Sequence, residues 1–137
     1  MAASLAGSLK ALIEAGGLGI VAYRDTAGSN QTASKWVTIA EGVATTTERL
    51  DTDDGQPVTE LVQVDLWQPW RATTAGGAAE DYDLADQLCD LIDKAALPDP
   101  PVQVKSCTVD DCVRLPPEED RNLVHHAITV RIRRERT

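Results

Sequence analysis

Apolar side chains recur along this chain with two different periods, and the switches between them divide it into elements. Leu5, Leu9, Leu12 and Ile13 repeat at helical spacing, which predicts a helix over Ser4 to Ala15. Gly16-Gly17 ends it, because glycine accepts the left-handed conformation of a helix C-cap. Gly19 to Arg24 reads as a strand and Asp25 to Ser34 as a small polar loop. Lys35 to Ala40 reads as a second strand, with Trp36, Thr38 and Ala40 opposing Val37 and Ile39. Val43 to Pro57 is rich in Thr and Asp and ends near Asp54-Gly55. It is expected to be one long loop, or a loop with a weak hairpin, and to act as a mobile contact.

The clearest alternation begins at Val58. Val58, Val62, Val64 and Leu66 fall on one face, with Thr59, Gln63 and Asp65 on the other. That is the period-two signature of a strand in a sheet with one buried face. The strand, Val58 to Trp67, closes at Trp67-Gln68-Pro69-Trp70, and a Gly76-Gly77 linker leads into a helical period. Leu84, Ala85, Leu88, Leu91, Ile92 and Ala95 form the apolar stripe of a helix from Glu80 to Ala96, with Asp83, Asp86, Asp90 and Asp93 outside or beside it. Acids at its start and Lys94 at its end complement the helix dipole, and Pro98-Asp99-Pro100-Pro101 stops it. Val102 to Val109 and Asn122 to Arg134 read as two further strands, joined through Pro116-Pro117 and an acidic turn. On the last, Val124, His126, Ile128, Val130 and Ile132 share one face, while Leu123, His125, Ala127, Thr129, Arg131 and Arg133 share the other. Helix, three strands, helix, two strands predicts an α+β fold: a mostly antiparallel or mixed β-sheet of four to five strands, the Val58 strand central, with both helices packed on one face.

A chain of 137 residues fits one domain, 1–137, and buries roughly two-thirds of its unfolded surface, enough for a core without staples. With no Phe, that core must be Val, Leu, Ile and Ala. No apolar run approaches the roughly 20 residues of a membrane span, and the N-terminus lacks a secretory pattern, so a soluble protein made in the cytoplasm is expected. The net charge of −9 argues against free nucleic acid as the main partner. The charge is also uneven. Arg121 to Thr137 holds five arginines against one glutamate, a net +4, so the other 120 residues carry −13. A basic terminal segment on an acidic body suits pairing between subunits; an ordinary solvated tail is the plain alternative.

Candidate chemistry thins out on inspection. Gly17-Leu18-Gly19 follows a helix and opens a strand, the reverse of a dinucleotide-binding turn. Asp51-Thr52-Asp53-Asp54-Gly55 lacks the glycine and the glutamate that a calcium loop needs in register. Cys89 reads as a small core residue. Cys107 and Cys112 flank Thr108-Val109-Asp110-Asp111 and could face each other across a turn, although reduced thiols are expected. His125 and His126 point to opposite faces of one strand, so one metal could not take both; His126 is expected hydrogen-bonded at the edge of the core. No close Cys pair of structural zinc type occurs and no serine sits in a nucleophile-elbow context. No catalytic residue, metal or cofactor is assigned. Trp67 lies on the polar face of its strand, either as an interface anchor or under a loop of the same chain.

With these elements in place, the chain resembles the tail terminator (tail completion) proteins of long-tailed bacteriophages. The resemblance is one of pattern over nearly the whole length. It is carried by the helix Leu5 to Ala15, the strand Trp36-Val37-Thr38-Ile39-Ala40-Glu41-Gly42, the strand ending Val62-Gln63-Val64-Asp65-Leu66-Trp67, the helix Asp83 to Ala95, the proline break and the strand Ile128 to Arg133. The resemblance implies a non-enzymatic virion protein that forms a ring, hexameric in relatives, on the head-proximal end of the tail tube. There it ends tube polymerisation and offers a surface for head joining. Its implied partners are copies of itself, the tail tube protein and the head–tail connector protein, with DNA only as passing cargo and no membrane. The implied location is the virion tail, and the host cytoplasm during assembly.

A ring needs heterologous contacts, one surface meeting a different surface of the next copy. The expected contact sets Arg131, Arg133, Arg134 or Arg136 against Asp83, Asp86 and Asp90 of a neighbour, with Trp67 as a further interface residue. A second expectation is an acidic ring bore that does not grip passing DNA. The rival readings are a head–tail connector or other neck protein, a small metal-binding hydrolase using His126 and a cysteine, and a binding module for a cellular protein.

Overall fold

The computed structural model describes residues 4–25, 35–47, 57–71, 80–98, 100 and 103–135. Helix α1 is Leu5–Ala15, and strands β1, β2 and β3 are Val21–Arg24, Trp36–Thr47 and Pro57–Pro69. Helix α2 is Leu84–Ile92, followed by β4, Val104–Arg114, and β5, Leu123–Glu135. The five strands form one sheet in the order β1-β2-β3-β5-β4. β1 runs parallel to β2, and the other three pairs are antiparallel. This is the expected α+β class, with a mixed sheet and the Val58 strand at its centre.

Register carries the alternation across the sheet. Val37 faces Leu66 and Leu66 faces His126, while Ile39 faces Val64 and Val64 faces Ile128. The same face continues through Val62 and Val130. Leu5, Leu9 and Ile13 of α1 and Leu84, Leu88 and Ile92 of α2 cover it, forming one core with these strand residues. Both helices therefore lie on one side of the sheet, where burial of aliphatic surface at about 25 cal/mol per Å² holds the two layers together. The opposite face carries Thr38, Gln63, Asp65, Trp67, His125 and Thr129, and no described helix packs on it.

Local signals set the ends of α1. Ser4 caps it, its hydroxyl oxygen accepting from the Gly7 amide at 3.0 Å. Gly16 donates back to the Ile13 carbonyl at 3.2 Å, and Gly17 takes φ +76°. Gly16 also fits closely under α2, because a Cβ there would run into the Leu91 side chain. Gly16→Ala is expected to cost about 1 kcal/mol: overpacking destabilises by roughly 1–3 kcal/mol, and the lower entropy of the unfolded alanine chain offsets part of it. The urea midpoint reads this directly, and an unchanged or raised midpoint would remove the close packing from the account.

Several boundaries differ from the expectations. The loop expected over Val43 to Pro57 is largely strand at its start: Ala44 to Thr47 pair with Leu61 to Val58 after an irregularity between Ala40 and Ala44. The β-branched threonines suit a strand, and the bulge absorbs the Glu41-Gly42 interruption. Residues 48–56 of that loop, the Asp51–Gly55 calcium-like stretch and the Gly76-Gly77 linker lie outside the described residues. The helix expected over Glu80 to Ala96 spans only Leu84–Ile92. At its start Glu80 and Asp81 are held by side chains from the sheet, and at its end Lys94 takes φ +61° and gives its amide to the Cys107 carbonyl at 2.7 Å. β4 outruns the expected Val109 limit. A shift between Val109 and Asp111 keeps Asp111 to Arg114 paired with Thr129 to His126. Cys107 and Cys112 therefore lie along one strand and do not face each other across a turn.

Candidate functional site

The sheet face away from the helices gathers an aromatic row. Trp36 pairs with Trp67, and Trp67 pairs with His125, on three adjacent strands. The two indoles lie 6.1 Å apart and 11° from parallel, and the imidazole lies 4.2 Å from the Trp67 ring. Trp67 Nε1 donates to Thr38 Oγ1 at 3.1 Å, so its one polar atom is satisfied within the face. The Arg121 guanidinium stands 5.9 Å from the same ring, and Arg71 lies 4.0 Å over Trp70. Asn122, at φ +51°, ties this end down: its side chain accepts from the Arg71 amide and donates to the Arg71 carbonyl. Trp67 is thus half-buried by its own cross-strand neighbours, which leaves a rigid, partly exposed aromatic surface.

Of the eight residues expected at a subunit contact, the seven that the structure describes separate onto two surfaces. Asp83, Asp86 and Asp90 are exposed along the outer face of α2. Arg131 and Arg133 point to the far side of the slab, the face of Trp67. Arg131 is exposed and reaches Asp110 at 2.9 Å. Arg134 falls on the other side of its strand and makes an ion pair with Glu60 at 3.0 Å, both largely buried within one copy. Arg136 lies outside the described residues. Within one copy the acids of α2 and the arginines of the open sheet face cannot meet.

A polar cluster that the sequence did not announce fixes the start of α2. Glu80, whose side chain is 2 % exposed, takes two bonds from Arg114, at 3.0 and 2.8 Å. That guanidinium holds the Glu80 carboxyl below its ordinary range, although burial opposes the shift. His126 Nε2 lies 4.0 Å from Glu80, beyond hydrogen-bond reach, and its Nδ1 has no partner among the described residues. The expected hydrogen-bonded His126 is thus corrected to a buried, unbonded one whose pKa is pushed down by desolvation. Next to it the buried Gln68 amide accepts from the Asp81 N–H at 2.9 Å and donates to the Asp81 carbonyl at 3.3 Å.

From there α2 is stitched to the edge strand β4 along one seam. Arg114 meets Glu80, the Val109 amide donates to Asp93 at 3.0 Å, and the Lys94 amide donates to the Cys107 carbonyl. All three cysteines are free thiols. Burial and neighbouring acids push Cys89 up to about 12, and burial with Asp93 pushes Cys107 up to about 11. A thiol-based nucleophile needs thiolate near neutral pH, and these sites oppose it. Glu80 is committed to Arg114 and makes a poor base for His126. Among the described residues no three His, Cys, Asp or Glu side chains form a metal-holding group. A cleft of about 530 Å³ beside the end of α2 is lined by Lys94, Leu97, Lys105, Ser106 and Thr108 among others, with no acid or imidazole among the described residues. No described helix is long and apolar enough to cross a membrane.

No protein-family model matches this chain, and no curated protein matches it. Among solved structures it is similar to a chain of the "Virion of native gene transfer agent (GTA) particle", with a TM-score of 0.60 and 16 % identity over 93 % of this chain and 84 % of that one. At that identity the likeness is one of fold.

Proposed function

We propose that this chain is a structural virion protein of the tail terminator type, a single domain without enzymatic activity. In this reading it forms a ring, a hexamer on the tail, at the head-proximal end of the tube. The ring ends tube polymerisation and presents a surface to the head–tail connector, while DNA passes through as cargo. The observation that carries the reading is the pair of unlike surfaces on opposite sides of one slab: the acids of α2 on one, Trp67, Arg131 and Arg133 on the other. Surfaces so placed join copies head to tail, and such contacts close into a ring when the rotation permits. Trp and Arg are the residue types that dominate interface energies, and Trp67 arrives pre-ordered by its neighbours. The likeness to a chain of a gene transfer agent virion supports the same class.

Deletion of the gene in its parent phage tests the role by electron microscopy. Overlong tubes without heads are the expected result. Tails of normal length that fail to join heads would replace the terminator reading with a connector.

A further inference from the structure

One large aromatic side chain stands outside both the core and the aromatic row. Tyr82 is 76 % exposed, on the turn that leads into α2. The residues on either side of it are held. The Glu80 carboxylate accepts two bonds from Arg114, the Asp81 backbone is bound by the Gln68 amide at 2.9 and 3.3 Å, and the Asp83 amide donates to Asp81 Oδ1 at 3.0 Å. The turn thus presents the ring already ordered, which lowers the entropy a partner would have to remove. Asp81, Asp83 and Asp86, all exposed, lie close to it in sequence.

The aromatic row lies at the same end of the strands, on the opposite side of the slab. Gln68, which binds Asp81, directly follows Trp67 in β3, and His126, the register partner of Arg114, directly follows His125 in β5. Two exposed arginines flank the row. Arg121 stands 5.9 Å from the Trp67 ring and also pairs with Glu118 at 3.1 Å, and Arg71 lies 4.0 Å over Trp70. An aromatic edged by carboxylates on one side therefore matches aromatics edged by guanidiniums on the other, at equal height along the strands. A second copy stacked against the first through the thickness of the slab brings the two together.

We propose that Tyr82 is the anchor of the contact between successive copies, its ring seated on the Trp36–Trp67–His125 row of the next copy, with Asp81, Asp83 and Asp86 facing Arg121 and Arg71. The partner rests on the ring reading above, which the contact deepens by naming what meets Trp67. Aromatic pairs gain from offset or edge-on packing beyond the area they bury, and Trp, Tyr and Arg are the types that carry most interface energy. Acid against base also fixes the orientation. Two helix sides brought together would set carboxylates against carboxylates, and two open faces would set guanidiniums against guanidiniums. Tyr82 cannot reach the row of its own copy, which lies behind the sheet, so the contact is heterologous and propagates head to tail.

The test replaces Tyr82 by the photoreactive p-benzoylphenylalanine in the full chain, supplies that chain to the parent phage lacking the gene, and irradiates purified particles. The expected product has twice the mass of the chain and joins the peptide of position 82 to those holding Trp36, Trp67 or His125. Tyr82→Ala should lower the amount of the chain in particles by on the order of tenfold or more. Its Tm should stay at the wild-type value, because so exposed a ring adds little to the fold, and Tyr82→Phe should retain assembly. A cross-link to a different protein, or to another region of a second copy, would overturn the proposal and leave the ring reading intact. So would particles that hold the chain but yield no cross-link, or a Tyr82→Ala chain that enters particles as the wild type does. Particles that lack even the wild-type chain would overturn both.

Discussion

Leu88→Ala is expected to destabilise the fold by about 3 kcal/mol, within the 2–5 kcal/mol typical of a leucine lost from a packed core. Leu88 is fully buried in the middle of α2, between Leu84 and Ile92, which are buried in the same core. The loss combines the transfer of its methyl groups with the cavity left behind. Its effect on α2 is larger than the number suggests. A helix of nine residues does not stand alone in water, so packing is what keeps it formed. Total stabilities of roughly 5–15 kcal/mol leave a small reserve against such a loss. The urea midpoint should fall while hydrogen exchange quickens first in α2 and at the Lys94 and Val109 amides of the seam. In the proposed ring, whose contact uses Asp83 at the cap of α2 and Asp86 and Asp90 on it, assembly should weaken without any surface charge being altered. Uniform loss of protection across the whole sheet, with α2 no worse than β3, would show that the helix is not the weak unit.

How far the sequence reveals this molecule depends on whether a feature is periodic or pairwise. The alternation of Val58 to Leu66 and of Val124 to Ile132 reports which face each strand buries, because a one-residue slip would expose the whole set. The helical stripe of α2 is legible for the same reason. Its ends are not, since Arg114 and Gln68 hold Glu80 and Asp81 out of the helix from far along the chain. Asp110-Asp111 resembles a turn by composition, and only pairing with β5 across a bulge keeps it in the strand. Trp67 stands out on a polar face, but its company of Trp36 and His125 follows from register, which no single sequence supplies. The division of Arg131 and Arg133 from Arg134 was already implicit in strand alternation. What alternation could not show is that Arg134 spends its charge on Glu60.

Arg114→Ala is expected to cost about 2 kcal/mol at pH 7.5, and the cost should shrink as the solution is acidified. Removing one partner of a buried ion pair typically costs roughly 3–5 kcal/mol, and the lower figure reflects that Arg114 is 40 % exposed and screened by water. What remains is a Glu80 carboxylate at 2 % exposure without its cation. In the wild type the Glu80 pKa is depressed, so its contribution is complete above the ordinary value of 4.5 and is lost as pH falls through the lower folded value. In the variant only His126 still favours the charge, and burial turns the Glu80 shift upward. Protonation then relieves the penalty as pH drops below that raised value. His126 adds a second slope. Its folded pKa lies below 6.5, so the unfolded chain binds more protons and wild-type stability declines as pH falls below that point. Arg114 is one of the charges pressing His126 down, so the variant should lose less over this window. Urea midpoints at pH 7.5, 5.5 and 4.0 should therefore converge for the two proteins. A gap that stays constant over that range would mean that Arg114 acts through packing alone and that Glu80 is not held as a buried anion.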